Sequence, residues 1–344
     1  MAIGSHVIPK FYLEQFSTPS ARPGNPGRIW VYERGKEPDE RATSVQGVEN
    51  GYFGYIKPDG TLEESLEKQL ASLEAEANGI LPYIRSELFN WRSYSHRKTI
   101  AFYASLLFQR ATQSRNVSEQ HWDYIQKGFA EAIADDKYVD DLASHYSTKL
   151  SQQITLEQMR GHLQATAEKL QKPSEEKNLF LEKLLWNTEF IRDILLDKPW
   201  QVWRASSDSE FITSDNPLVT FVRLSNDELH PGYGFRQSGV VAAFPLAPTT
   251  CLAMGPTGPE FVTFDHAHVM KINEVVIRLC DRFVYSRRRS EEIRKLVDEC
   301  GGTAKYGVTA FMPVRLEMPS IRAFIRHHLG LPPENGGSLE KSTP

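Results

Sequence analysis

The sequence predicts an α+β protein: a helical-bundle half plus a mainly antiparallel sheet that includes an N-terminal strand. Three observations predict it. Apolar residues recur at steps of three and four from about residue 60 to 199, the period drops to two from Trp200, and one isolated alternating segment, "RIWVYERG", precedes the helical stretch. One domain is expected over 1–330, with a helical subdomain at about 60–199, a sheet-containing subdomain at about 1–59 and 200–330, and a disordered tail at 331–344.

The chain opens with "GSHVIPKFYLEQFS", in which His6 stands three residues before Pro9 and Phe11, Tyr12, Leu13 and Phe16 crowd one turn. The Pro/Gly-rich "SARPGNPG" reads as a loop, and Arg28–Arg34 alternates apolar and polar residues as a half-buried strand does. No second strand follows it nearby in sequence, and a lone strand leaves its backbone groups unpaired. It is therefore expected to join the later sheet and to bring His6 with it.

In "TLEESLEKQLASLEAEANGILPYIRSEL", Leu62, Leu66, Leu70, Leu73, Ala77, Ile80, Ile84 and Leu88 form one helical stripe after a turn at Asp59-Gly60-Thr61. "HRKTIAFYASLLFQRATQSR" is apolar around most of its circumference and is expected at the centre of a bundle. Four further helices are predicted before Pro199. "WQVWRA", "EFITS", "PLVTFVR", "SGVVAAFPL" and "TCLAMG" then read as short strands, "DHAHVMKINEVVIRLCDR" as helix, "RFVYSR" as strand and "SEEIRKLVDEC" as helix.

Composition narrows the function classes. The 344 residues carry a formal charge of −4, so any nucleic-acid partner needs a local patch rather than bulk attraction. The run "SRRRSEEIRK" is read as solvated surface, partly neutralised by Glu291 and Glu292. Cys251, Cys280 and Cys300 form no CxxC pair, which predicts neither a disulfide framework nor a thiolate zinc site. The opening residues lack the charged flank and apolar run of a signal peptide, and no stretch is long and apolar enough for a membrane span, so a cytoplasmic protein with no membrane partner is expected. Oligomeric state is not legible.

The candidate chemistry centres on His6 and Asp215. Thr213-Ser214-Asp215-Asn216-Pro217 interrupts two strand-like runs with short polar side chains and a proline, which puts Asp215 at a strand end. Asp and Ser also bond backbone N–H groups in such turns, so a purely turn-making Asp215 is the competing reading. Glu63, Glu67 and Glu74 share one helix face, and such a row is expected to face water. If that face looks inward toward Arg110 or His6, an acid beside Asp215 could hold a divalent ion through oxygens. No H-E-x-x-H, EF-hand, P-loop or GxGxxG string occurs, no metal ligand is assigned, and His266 and His268 are expected to open a helix, where i and i+2 diverge. Arg115-Asn116-x4-His121 has the Arg–polar–His spacing of the HEPN ribonucleases.

"HVIPKFYLEQF", "WVYER", "LEKQLASLEAEA", "FQRATQSR", "FITSDNPLV", "FPLAPTTCL" and "INEVVIRLCDRFVYS" occur in an order that resembles the bacterial domain-of-unknown-function family four-two-three-eight over about residues 5–290. The resemblance brings no reaction, substrate or cofactor. It implies that His6, Pro9, Tyr12, Phe16, Glu74, Arg110, Ser214, Asp215, Asn216, Pro217 and Asn273 correspond to a recurring pattern, to which Arg115 and His121 do not belong.

Two functions are expected from these residues. One is a hydrolase of nuclease type acting on RNA or DNA, with His6 as general acid/base, Asp215 and Glu74 orienting it or holding a metal, Arg110 clamping a phosphate, and Tyr12, Ser214 and Asn216 at the substrate. The other is a non-enzymatic binding or regulatory module in which the same residues form a structural hydrogen-bond network.

Overall fold

A computed structural model describes residues 4–20, 24–50, 52–57, 59–63, 65–86, 88–170 and 173–306. The chain forms two compact units, Met1–Val117 with Phe180–Pro313, and Ser118–Leu179 with Val314–Pro344. The tail expected at 331–344 lies outside the described residues.

In the first unit the N-terminal part contains β1 (Gly4–His6), α1 (Lys10–Leu13), β2 (Arg28–Glu33), β3 (Asp39–Ala42), β4 (Val48–Asn50), β5 (Tyr55–Ile56), β6 (Leu62–Glu63), α2 (Ser65–Arg85) and α3 (Tyr94–Arg110). Helices α4 (Thr112–Ala134), α5 (Asp136–Leu150), α6 (Leu156–Leu170) and α7 (Pro173–Asp197) follow, and β7 (Trp200–Ala205) opens the second half. Then come β8 (Thr213–Ser214), β9 (Val219–Arg223), β10 (Leu229–Pro231), β11 (Val241–Ala247), β12 (Thr250–Met254), β13 (Phe261–Phe264), α8 (His266–Arg278), β14 (Phe283–Ser286) and α9 (Glu291–Cys300). The fold class is α+β, as expected.

Two sheets carry the first unit. Six strands run in the order β10-β9-β11-β12-β7-β13, antiparallel except where β13 lies parallel to β7. Four run in the order β3-β2-β14-β8. Strand β2 pairs with β14, Trp30 opposite Ser286 and Glu33 opposite Phe283, so the early strand does join late ones. It also has a neighbour that the sequence hid. Strand β3 pairs with it as a hairpin, and "DERA" lacks apolar alternation because edge strands carry charge where they meet water. Arg28 crosses the hairpin to Glu40 at 2.9 Å.

Helix α2 buries Leu70, Ala77, Ile80 and Ile84 from the predicted stripe, while Leu62 falls in β6 and Leu88 lies beyond the helix, largely exposed. In α3 every residue from Tyr103 to Arg110 is buried, as expected of a helix apolar nearly all round. The predicted helix over "DHAHVMKINEVVIR" is α8, capped by the Asp265 side chain, which accepts from His268 N–H at 2.9 Å.

The main core joins the opening peptide to both sheets. Tyr12, Leu13 and Phe16 are fully buried, and the Tyr12 ring stacks on Phe244 with centroids 5.5 Å apart. Within the second unit, Val139, Leu142, Leu163 and Phe129 make a separate small core.

Candidate functional site

The N-terminal peptide turns toward the site at Gly47. His6 pairs opposite Val48 in the β1/β4 ribbon, and Val7 N–H donates to Gly47 O at 2.7 Å. Gly47 has φ +64°, and a Cβ there would come within 3.2 Å of Ile8 Cβ and 3.3 Å of Ile8 N. The close approach of these two segments makes one wall of a pocket of about 540 Å³. The turn after β8 and the start of β14 supply the opposite wall, with Asp215, Arg282, Phe283 and Tyr285.

Asp215 is held there by backbone. Its Oδ1 accepts from Asp281 N–H at 2.8 Å and its Oδ2 from Arg282 and Phe283 N–H, each at 2.7 Å, while its own N–H donates to Phe283 O at 3.0 Å. Burial pushes its carboxyl up from 3.8 to about 6, against the three amides, which favour the ionised form. A carboxylate offers about four lone-pair sites, so the amides leave one.

The other expected residues lie elsewhere. Ser214 and Asn216 are buried and close the turn on itself: Ser214 Oγ donates to Asn216 O at 3.0 Å and accepts from Asn216 N–H at 3.2 Å, and Asn216 Nδ2 donates to Leu279 O at 3.1 Å. Tyr12 reaches the same region from inside, its hydroxyl 2.8 Å from Thr213 Oγ1 and 2.7 Å from Pro245 O. None of the three lines the pocket. His6 is half-buried in β1, and its Nε2 is buried without a hydrogen-bond partner among the described residues.

Of the expected acid row, Glu63 falls in β6 rather than on the helix, while Glu74 forms an ion pair with the buried Arg110, whose guanidinium lies 4.7 Å from the centre of the Phe53 ring. Val7 packs in the same apolar cluster as Phe53. The N-terminal peptide thus touches the surroundings of both groups. No hydrogen bond or ion pair among the described residues links Glu74 or Arg110 to Asp215.

The structure adds residues that the sequence did not mark. Gln46, Arg41 and Tyr285 line the pocket. Tyr285 is buried, and its hydroxyl is pushed up far beyond the ordinary phenol range by burial first and then by the Asp215 carboxylate, with Arg41 opposing. It therefore stays a neutral O–H donor.

The family model described as "Protein of unknown function (DUF4238)" matches residues 5–290. The chain belongs to DUF4238. No curated protein matches it, and no solved structure does.

The other candidate groups of this DUF4238 chain have partners within the fold or lie outside its described residues. Among the described residues no group of three or more His, Cys, Asp or Glu is arranged to hold a metal ion. His266 and His268 open α8 and turn to different partners, Glu292 at 3.1 Å and Asp265 at 2.7 Å. All three cysteines are free thiols and buried. The basic run is neutralised more fully than its own glutamates allow: Arg287 pairs with Glu210, Arg289 with Glu37 and Glu291, while Glu292 turns to His266 instead. The side chains of Arg115 and His121 lie outside the described residues.

Proposed function

We propose that this DUF4238 chain is a binding module whose recognition site is the pocket lined by Val7, Ile8 and Gln46 on one side and Asp215, Phe283 and Tyr285 on the other. One observation carries the reading: three backbone N–H groups hold the Asp215 carboxylate on the pocket wall. A carboxylate so engaged is anchored as a hydrogen-bond acceptor, with three of its about four lone pairs already taken by backbone. The other expected residues support a framework role. Tyr12, Ser214 and Asn216 are buried and bonded to protein groups, and Arg110 is matched to Glu74 inside the fold. They hold the pocket walls in place. A volume of about 540 Å³ falls within the roughly 300–1,000 Å³ of small-molecule sites.

The hydrolase reading, with His6, Asp215, Glu74 and Arg110 acting on RNA or DNA, is the second. It draws on the elevated Asp215 carboxyl, since an acid titrating near neutrality on a pocket wall suits acid–base work. One experiment separates the two. The full chain is incubated with mixed RNA and DNA, with and without divalent ions, beside His6→Ala and Asp215→Asn. The binding reading expects no cleavage that depends on these residues, and both variants change thermal stability alone. Cleavage by the wild type that is lost in correctly folded His6→Ala and Asp215→Asn overturns it.

A further inference from the structure

We propose that Gln46, Tyr285 and Arg41 form the recognition face of this pocket, and that its ligand is a small hydroxylated molecule carrying a single oxyanion. This rests on the binding reading above and names the ligand class for the same site.

Two buried polar side chains point to a ligand. Gln46 is 5% exposed and Tyr285 1% exposed, both line the pocket, and neither makes a side-chain hydrogen bond among the described residues. Neither polar tip is sealed from solvent, so an amide beside Gly47 and a phenol on the facing wall both open onto the cavity, where an outside partner is received. Their chemistry is complementary. The phenol is a donor, and the amide offers a donor and an acceptor side by side.

Arg41 adds direction. Its Nε is engaged by Asp39 at 3.0 Å, and its terminal amino groups make no ion pair among the described residues. A guanidinium held at one nitrogen keeps the edge that takes an oxyanion with two parallel bonds. Arg41, Tyr285 and Asp215 all line the pocket, which brings cation, phenol and acid to the same cavity. An oxyanion therefore lies against Arg41 and Tyr285.

Asp215 limits what else the ligand can be. Its remaining lone pair accepts a hydrogen bond but repels a second bare anion, so the ligand must bring a donor to it. A hydroxyl does this without adding charge. Asp281 on the same lining adds its charge to that of Asp215 against a polyanion. Val7, Ile8 and Phe283 leave apolar wall for the carbon skeleton. A sugar phosphate and a sugar acid both satisfy these demands, through a phosphate monoester or a carboxylate.

The test is isothermal titration of the full chain with ribose 5-phosphate and, separately, gluconate, alongside ribose and inorganic phosphate as isolated halves. The expected result is that at least one two-group probe binds tenfold or more tighter than either half. That binding falls tenfold or more in Tyr285→Phe and in Arg41→Gln, while both variants unfold at the wild-type temperature; the two probes tell phosphate from carboxylate. Binding no tighter than the halves overturns the proposal, as does wild-type affinity in Tyr285→Phe. Saturable binding of glycylglycine or spermidine in place of both probes also overturns this ligand class but leaves the binding reading standing. Residue-dependent cleavage of nucleic acid removes the binding reading itself.

Discussion

The hydroxyl of Tyr12 is bonded to Thr213 across 201 positions of sequence, at 2.8 Å, and donates to Pro245 O at 2.7 Å. A phenol has one proton and the carbonyl can only accept, so the Thr213 hydroxyl donates to Tyr12. This buried exchange ties the opening peptide to the strand that leads into the Asp215 turn.

Tyr12→Phe keeps the ring stacked on Phe244 but strands the Thr213 hydroxyl and the Pro245 carbonyl. The expected cost is about 1–3 kcal/mol of stability, read as a lower urea midpoint at unchanged slope. A loss below about 0.5 kcal/mol, the range of ordinary surface changes, would mean that the bonds contribute nothing net.

The parts of this arrangement that were legible in the sequence are those written in side-chain periodicity. Alternation in "RIWVYE" marked β2, the three-four stripe marked α2, and the unpaired state of a lone strand led to its partnership with β14. What periodicity does not encode stayed hidden. Strand β3 is charged because it is an edge, and β8 is two residues long, too short for any pattern. The partners of Asp215 are the N–H groups of Asp281, Arg282 and Phe283, and a backbone donor leaves no trace in residue type. Gln46 and Tyr285 are ordinary letters in a turn and a strand. Only the approach of Gly47 to Ile8 and the pairing of β14 with β8 turn them toward one cavity.

Glu74→Gln should be the most damaging single change away from the pocket. It leaves the Arg110 guanidinium buried against Phe53 without its counter-charge, which costs about 3 kcal/mol. Replacing Arg110 by Met in the same chain removes the stranded charge, and the double variant should recover about 1 kcal/mol or more relative to Glu74→Gln. Urea unfolding of the wild type, both single variants and the double measures the coupling. Additive losses would show that the two side chains are energetically independent.

Gly47→Ala tests the pocket wall. A left-handed φ of +64° costs an L-residue about 1–2 kcal/mol, and the new methyl meets Ile8 at 3.2 Å, so the wall must shift. The expected outcome is a loss of about that size, with weaker binding of whichever probe the wild type takes. Wild-type stability in this variant would show that the turn accommodates a side chain and that the approach to Ile8 is not tight.

Asp215 gives stability a definite pH dependence. Its carboxyl titrates at about 6 in the fold against 3.8 as the ordinary value, burial being the larger influence and the three amides the smaller. Folding therefore favours the protonated acid. The stability this group contributes is fully present below about pH 3.8 and is lost as pH rises through about 6. Asp215→Asn has no such titration, and it turns an amide N–H₂ toward backbone N–H groups that need acceptors, so it should be less stable throughout. The stability advantage of the wild type over Asp215→Asn should then shrink between pH 4.5 and 7.5 when unfolding midpoints are compared at constant ionic strength. An advantage that stays flat over the same interval would reverse the ranking of the two influences: the amides would outweigh burial, and Asp215 would be ionised throughout it in the folded and the unfolded chain alike.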